Sequence, residues 1–427
     1  MPATDSAFEE FEGNPDVLAT LEIGVAGYIN TALSRAPVLR SAFAAWKTRS
    51  LKIAGAATLP EPQLNFSAFL SSIETREGPQ LGRIGLRQGF PWPGTLKNRE
   101  EAARQYANAA ALSVEVEAQK IRFQVESAYW SLWRLRAGKE IHEEHLLVLE
   151  SLAESVRARM ATGAATLSDL QQIELTQIRV ADSIARQRET ELMLEARLRA
   201  MMGFQAIFRV PTNQAPDVKT LQDLNHETLL KKALEHPSIR RSQAHQAQAR
   251  ADIEVERRNR LPSFSLGLDW TIVGEQVMDG EARGGKDALG IGAGLRLPLW
   301  QDAYQDAIHS AETELSKREL EERAIKDQVT ERLLTEIALL RDAFRRAKTY
   351  RESLVPRAAD AYQSVLGAYT VGRGSIAQML LAQRDLLEFK VQEQEACADL
   401  EIARARLKET LGEPLPELEL RGEQDVR

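Results

Sequence analysis

The chain has 427 residues, 43% hydrophobic and 27% charged, with no run of 18 consecutive apolar residues, which excludes a transmembrane helix but not the short alternating strands of a β-barrel. A formal net charge of -7, from 55 Lys+Arg against 62 Asp+Glu, excludes a general nucleic-acid binder, which carries a basic excess. The single cysteine, Cys397, excludes a disulfide framework and a cysteine-based zinc site within one chain.

The first residues, MPATDSAFEEFEGNPD, have no basic n-region and no apolar h-region, so no signal peptide is read there, and no nearby cysteine offers a lipid anchor. Beyond them the sequence is written twice. Ala32-Leu33 before Pro37 returns as Ala233-Leu234 before Pro237; Leu59-Pro60 returns as Leu261-Pro262. Gly85-Leu86-Arg87 returns as Gly294-Leu295-Arg296, and Gly163 and Met202-Gly203 as Gly372 and Leu411-Gly412. The period is too long for a solenoid. It predicts two structural repeats, at 17–213 and 214–413, with a tail at 414–427. Each repeat is expected to read helix, helix, strand, strand, long helix, helix.

In the first repeat, strands are expected at 62–72 and 83–90. Leu64, Phe66, Ala68 and Leu70 alternate with Asn65, Ser67 and Phe69, then after the loop SSIETREGPQLG come Ile84, Leu86 and Gln88. A helix follows at 96–162, without proline and with Gly138 as its only glycine. At the usual rise per residue it spans about 100 Å, too long for the core of a compact domain. Its seam runs Ala107, Ala111, Val114, Ala118, Ile121, Val125, Ala128, Leu132, Leu135, then Leu146, Leu149, Ala153, Val156 and Met160, with Lys139 and His142 as polar members. That period predicts coiled-coil packing, and Phe123, Trp130 and Trp133 off the seam predict partners on two sides. The histidines of HEEH, His142 and His145, are three apart rather than the four of a metalloprotease, and His142 reads as a seam residue. A helix at 166–202 closes the repeat.

The second repeat has the clearer strands, expected at 262–273 and 288–298. Phe264, Leu266, Leu268, Trp270 and Ile272 fall on one face, and Ser263, Ser265, Gly267, Asp269 and Thr271 on the other. Leu289, Ile291, Ala293, Leu295 and Leu297 answer them, alternating with Gly290, Gly292, Gly294 and Arg296. The polar, glycine-rich VMDGEARGGKD between them reads as an exposed loop. Trp92, Trp270 and Trp300 lie near strand ends, where aromatic girdles occur. Four strands cannot close a barrel, so membrane-spanning strands require several chains. A long helix at 301–371 is expected to bend or open its hydrogen bonds at Pro356, and a helix at 375–411 ends the repeat. No catalytic, cofactor or metal constellation stands out.

This ordered set, with the turns VRARMATGAATLSDL and LGAYTVGRGSIAQML, resembles the TolC family of outer-membrane factors. The segment Gln88 to Gly94 looks like the heavy-metal efflux branch. The resemblance implies a mainly α fold with a small β part: long coiled-coil helices forming an α-barrel, plus four strands per chain in a 12-stranded trimeric β-barrel. It implies an outer-membrane location with a periplasmic extension and a homotrimer in outer-membrane lipid. Passive export would run with a periplasmic adaptor and an inner-membrane pump of RND or ABC type, in tripartite efflux or type I secretion, for small molecules or metal ions. Lipid would face Phe264, Leu266, Leu268, Trp270, Leu289, Ile291 and Leu295. The adaptor would grip tips at Gly163, Thr166, Gly372 and Ser375. Asp169 and Tyr369 match positions that link helices at the closed periplasmic gate, and Arg373 lies one residue before the gate arginine's place. Gln378 and Leu381 stand where the family carries an acidic ring. Asp169 equally suits a capping acid beside Thr166. A periplasmic adaptor and a soluble structural coiled coil are the alternatives; the repeat opposes the first and the alternating strands the second.

Overall fold

The computed structural model describes residues 24–205, 208–218, 225–278 and 281–412; the start of the first expected repeat and the tail at 414–427 lie outside the described residues. The chain is mostly helical with a small sheet. Its elements run α1 (Val25–Arg35), α2 (Pro37–Ala56), β1 (Gln63–Thr75), β2 (Gly78–Phe90), α3 (Thr95–Ala161) and α4 (Leu167–Met201). There follow α5 (His226–Ala233), α6 (Pro237–Asn259), β3 (Ser263–Val273), β4 (Glu275–Met278), β5 (Glu281–Gly284) and β6 (Ala288–Arg296). Then come α7 (Gln301–Thr349), a π-helical turn (Tyr350–Leu354), α8 (Val355–Thr370) and α9 (Ile376–Leu411). Among the described residues no helix is long and apolar enough to cross a membrane.

The π-helical turn sits where Pro356 interrupts the hydrogen-bond ladder. The Val355 N–H reaches back to the Tyr350 carbonyl, one residue beyond the α-helical partner, and a helix that loses a donor to proline absorbs the defect in this way. The first strand pair differs from the expected loop at SSIETREGPQLG. β1 continues to Thr75 and β2 restarts at Gly78, leaving Arg76 and Glu77 as a two-residue turn, with a register shift between Ala68 and Ile73. Polar residues there raise the hydrophilicity without ending the backbone ladder. The segment expected as a loop between β3 and β6 likewise holds the small hairpin β4–β5.

Contacts divide the chain into two compact units, 1–42, 114–237 and 326–427 in the first and 43–113 and 238–325 in the second. The first unit holds nearly all the large buried side chains. One cluster gathers Tyr28, Val125, Tyr129, Leu132, Leu198 and Met202; a second gathers Leu229, Leu333, Ile337, Leu340, Leu400 and Leu407. Each such burial contributes about 1.5–3 kcal/mol. Seam residues Val125, Leu132, Leu149 and Val156 are fully buried, and so, from off the seam, is Trp130. The chain after α4 is pinned to this core: Tyr28 Oη donates to the Pro211 carbonyl at 2.6 Å, and the Gln214 N–H to Tyr129 Oη at 3.0 Å.

Beside that core an ion-pair network is nearly closed off from water. Arg136 Nε donates to Glu191 Oε1 at 2.6 Å, its Nη1 to Thr212 Oγ1 at 3.0 Å and to the Val210 carbonyl, and its Nη2 to Glu195. Lys139 donates to the other oxygen of Glu191. Burial would push the Glu191 carboxyl up, but the hydrogen bonds from Lys139 and Arg136 outweigh it and hold it below the ordinary range.

His142, on the seam, is half-buried with Nδ1 at 2.7 Å from the Gly138 carbonyl, whereas His145 is buried and, among the described residues, neither ring nitrogen has a partner in good hydrogen-bond geometry, Gln383 being its polar neighbour. Burial, then the neighbouring His142, push the His145 imidazole down to about 4, against a weaker upward pull from Gln383. The folded-state value is thus below the unfolded one. The stability held by the neutral ring is therefore complete above about pH 6.5 and is lost as pH falls towards about 4. We expect the thermal midpoint of wild type to fall further than that of His145→Gln between pH 7.5 and 4.5, by up to about 3 kcal/mol of differential stability. Burial raises the carboxyls of Glu401 and Glu409 and works oppositely, so the comparison with the variant, rather than the raw profile, isolates His145. Equal slopes for the two proteins would contradict the assignment.

Candidate functional site

The four-stranded sheet of the second unit, ordered β1-β2-β3-β6 and antiparallel throughout, has two chemically opposite faces. Register builds the first. Leu268 lies between Leu86 and Ile291, Trp270 between Ile84 and Leu289, and Phe264 between Phe90 and Leu295, while Leu64 and Phe66 pair with Leu86 and Ile84. The result is an apolar surface, interrupted by Gln88 opposite Leu266, and it is the exposed one. Leu268 is 44% exposed, Leu266 55% and Ile291 86%, and Phe264, Trp270, Leu289 and Leu295 are exposed as well. In a sheet facing water, this pattern is reversed.

The second face is small and polar. Asp269 lies between Gly85 and Gly290, Ser265 between Gly89 and Gly294, and Gly267 between Arg87 and Gly292. The glycines leave room for their neighbours. A Cβ on Gly85 would stand 2.7 Å from Asp269 Oδ1, and one on Gly294 2.5 Å from Ser265 Oγ. Aromatic residues mark both ends of β3: Trp92 stacks on Phe264 with centroids 5.7 Å apart, and Trp270 Nε1 donates to Asp287 Oδ2 at 2.9 Å. Trp300 follows β6 and is exposed.

The turns between α3 and α4 and between α8 and α9 are built alike. Gly163 and Gly372 take positive φ of 73° and 76°, so that the following N–H groups, of Ala164 and Arg373, return to the Arg159 and Ala368 carbonyls at 2.9 Å. Thr166 and Ser375 then cap the next helices. Thr166 Oγ1 accepts from the Asp169 N–H at 3.2 Å while Asp169 Oδ2 accepts from the Thr166 N–H at 2.9 Å; Ser375 and Gln378 repeat this reciprocal pair. Asp169 and Gln378 thus each hold a helix start.

Tyr369 is placed differently. It is 8% exposed, packed with Val156, Ile173, Ile376 and Met379, and the Arg159 guanidinium lies over its ring at 4.6 Å while donating to its carbonyl at 3.4 Å. Arg159 therefore ties the two turns together, a residue that the sequence reading did not single out and that only its place just before Gly163 hints at. Arg373 is exposed, without a side-chain ion pair among the described residues. Gln378 and Leu381 line one groove of about 590 Å³ between α8 and α9, together with Asp385, one helical turn further on. An acid thus stands beside the two non-acidic positions, in the same groove.

Residues 229–413 match the family model described as outer membrane efflux protein. The chain is 21% identical to the outer membrane efflux protein BepC of Brucella suis over 92% of its own length and 86% of that protein. It is 23% identical to the cobalt-zinc-cadmium resistance protein CzcC of Cupriavidus metallidurans, over 79% and 77% of the two chains. In fold it is similar to the crystal structure of CusC, with a TM-score of 0.78 at 18% identity over 92% of both chains. Family model, relatives and fold agree on one placement: the chain is similar to the outer-membrane efflux proteins, the TolC family of outer-membrane factors.

Proposed function

We propose that the chain is one protomer of a trimeric outer-membrane channel, the passive conduit of a tripartite efflux or type I secretion system. The single observation that carries this reading is the exposed, predominantly apolar face that crosses β1, β2, β3 and β6 with Gln88 as its polar member. Hydrocarbon outside and polar groups inside is the order of a barrel wall in lipid. The sheet ends in unpaired edges at β1 and β6, which lipid does not tolerate, so further copies must continue it; three copies give twelve strands. Among the described residues the second unit gathers one small buried apolar cluster, Ala109, Leu112 and Ala244, which supports the same reading. The recurrence of helix, helix, strand, strand, helix, helix supports a duplicated chain.

In this reading the two capped turns are the periplasmic tips that an adaptor grips at Gly163, Thr166, Gly372 and Ser375, and an inner-membrane pump feeds the conduit. Tyr369 and Arg159 hold the tip closed, while Asp169, Arg373, Gln378 and Leu381 line the gate. Cobalt, zinc and cadmium belong to the name of one relative, and BepC is named for efflux alone, so small molecules and metal ions both remain within the proposed class.

Purified in detergent and reconstituted in planar bilayers, the chain is expected to cross-link as a trimer and to give discrete conductance steps. A water-soluble monomer would contradict the proposal. Arg159→Ala with Tyr369→Ala is expected to raise the resting conductance by about tenfold, because the cation–π contact and the buried ring are lost together. An unchanged closed state would remove the gate role. Asp169→Ala alone is expected to act through the cap, destabilising α4 by about 1 kcal/mol in thermal unfolding.

A further inference from the structure

The polar face of the sheet carries an uneven charge. Along 63–70, 83–90, 263–271 and 288–296, leaving aside Glu74 near the β1–β2 turn beyond the register shift, the ionisable side chains are Arg83, Arg87, Asp269 and Arg296, three cations against one anion. Register puts all four on the polar side. Arg83 lies between Ser67 and Thr271, Arg87 between Gln63 and Gly267, Arg296 opposite Ser263, and Asp269 between two glycines. None of the three arginines makes an ion pair or side-chain hydrogen bond among the described residues, and Asp269 compensates none of them.

Where this face meets the helices of the same unit, a cleft of about 890 Å³ opens, lined by Arg87 and Arg296 and also by Arg99 and Arg258. Arg99 donates to Asn259 Oδ1 at 3.2 Å and Arg258 to the Pro93 carbonyl at 3.2 Å, so both meet neutral oxygens rather than carboxylates. Glu61 and Glu256 are the acids of the lining. Thr95, at the start of α3, also lines the cleft; it is 2% exposed, and its hydroxyl is buried without a partner.

From this arrangement we propose that the conduit prefers anions, and that the solutes it passes are organic or inorganic anions, carboxylates and phosphates among them, rather than free metal cations. The inference rests on the channel reading and adds the substrate class. Three chains would set nine guanidiniums against three carboxylates around one water-filled wall. Behind that wall lies hydrocarbon, which focuses the field into the lumen. Guanidinium groups bind carboxylate and phosphate oxygens in a paired geometry, and the cleft gives a departing anion a resting place before the strands. Asp269, alone among them, cannot reverse the sign.

The test is the reversal potential of the reconstituted channel under a tenfold KCl gradient at low ionic strength, where screening is weak. The wild-type chain is expected to favour chloride over potassium by about threefold or more. Arg83→Gln, Arg87→Gln and Arg296→Gln combined should lower that ratio by at least about threefold, while Asp269→Asn should raise it, a change of opposite sign that loss of folding cannot imitate. Potassium preference in wild type, or a ratio that ignores all four substitutions, would overturn the inference while leaving the channel intact. Complete absence of conductance steps would instead count against the channel reading and, with it, this proposal.

Discussion

Leu268→Arg is expected to cut the amount of membrane-assembled trimer at least about tenfold, whereas Gly267→Ser, one residue away, is expected to leave it unchanged. Leu268 sits near the middle of β3 on the exposed apolar face, flanked by Leu86 and Ile291. A charge facing lipid at mid-depth costs about 2–4 kcal/mol, and a trimer bears that cost in every copy. Gly267 faces the other way. A Cβ there would meet Leu86 O at 3.6 Å and Gly292 O at 3.8 Å, ordinary contact distances, and a hydroxyl would face water. Quantifying heat-resistant trimer in isolated membranes separates the two. Similar losses at both positions would mean that the strand has no lipid-facing side.

Arg136→Met is expected to be the most destabilising single change in the first unit, lowering stability by about 3–5 kcal/mol. Methionine keeps most of the volume and removes the charge. Glu191, Glu195, Thr212 and the Val210 carbonyl then lose a shared donor in a place that water hardly reaches. Breaking one side of a buried network costs more than the net worth of the pair, because the remaining carboxylates stay desolvated. Thermal unfolding of the detergent-solubilised protein reads the loss. Adding Glu191→Gln and Glu195→Gln to Arg136→Met should recover part of it. A midpoint unmoved by Arg136→Met would show that the network contributes little.

Much of the architecture is legible because its signals are local and periodic. The alternation from Phe264 to Ile272 becomes a strand because residues two apart share a face, and the register with Leu289 to Leu295 follows from keeping the apolar sides together. The seam through Val125, Leu132, Leu149 and Val156 is buried because a heptad keeps one side of a helix against its neighbour. Pro356 marks its own disturbance. Strand ends are less legible. Glu74 and Thr75 are polar and read as loop, yet they extend β1, since backbone pairing is indifferent to side-chain polarity outside an apolar environment.

Contacts between elements distant in sequence leave little trace. Nothing in the spacing of Arg136, Glu195 and Thr212 announces one network, and nothing joins Arg159 to Tyr369 until the helices carrying them pack together. The histidine on the seam draws the eye, but the buried one is His145, a single turn away. At the turns, the resemblance points to Asp169 and Gln378 as gate positions, while the structure adds a local duty for both, the closing of capping boxes.

The claim on which the rest depends is the orientation of the sheet, and a spin-label scan along β3 tests it most directly. Single cysteines at successive positions from Phe264 to Thr271, with the buried Cys397 replaced by alanine, would be labelled in reconstituted vesicles and probed with oxygen and with a water-soluble nickel chelate. Oxygen accessibility is expected to peak at 264, 266, 268 and 270 and nickel accessibility at the positions between them. Nickel maxima at Leu266 and Leu268, or no period-two alternation at all, would contradict that orientation.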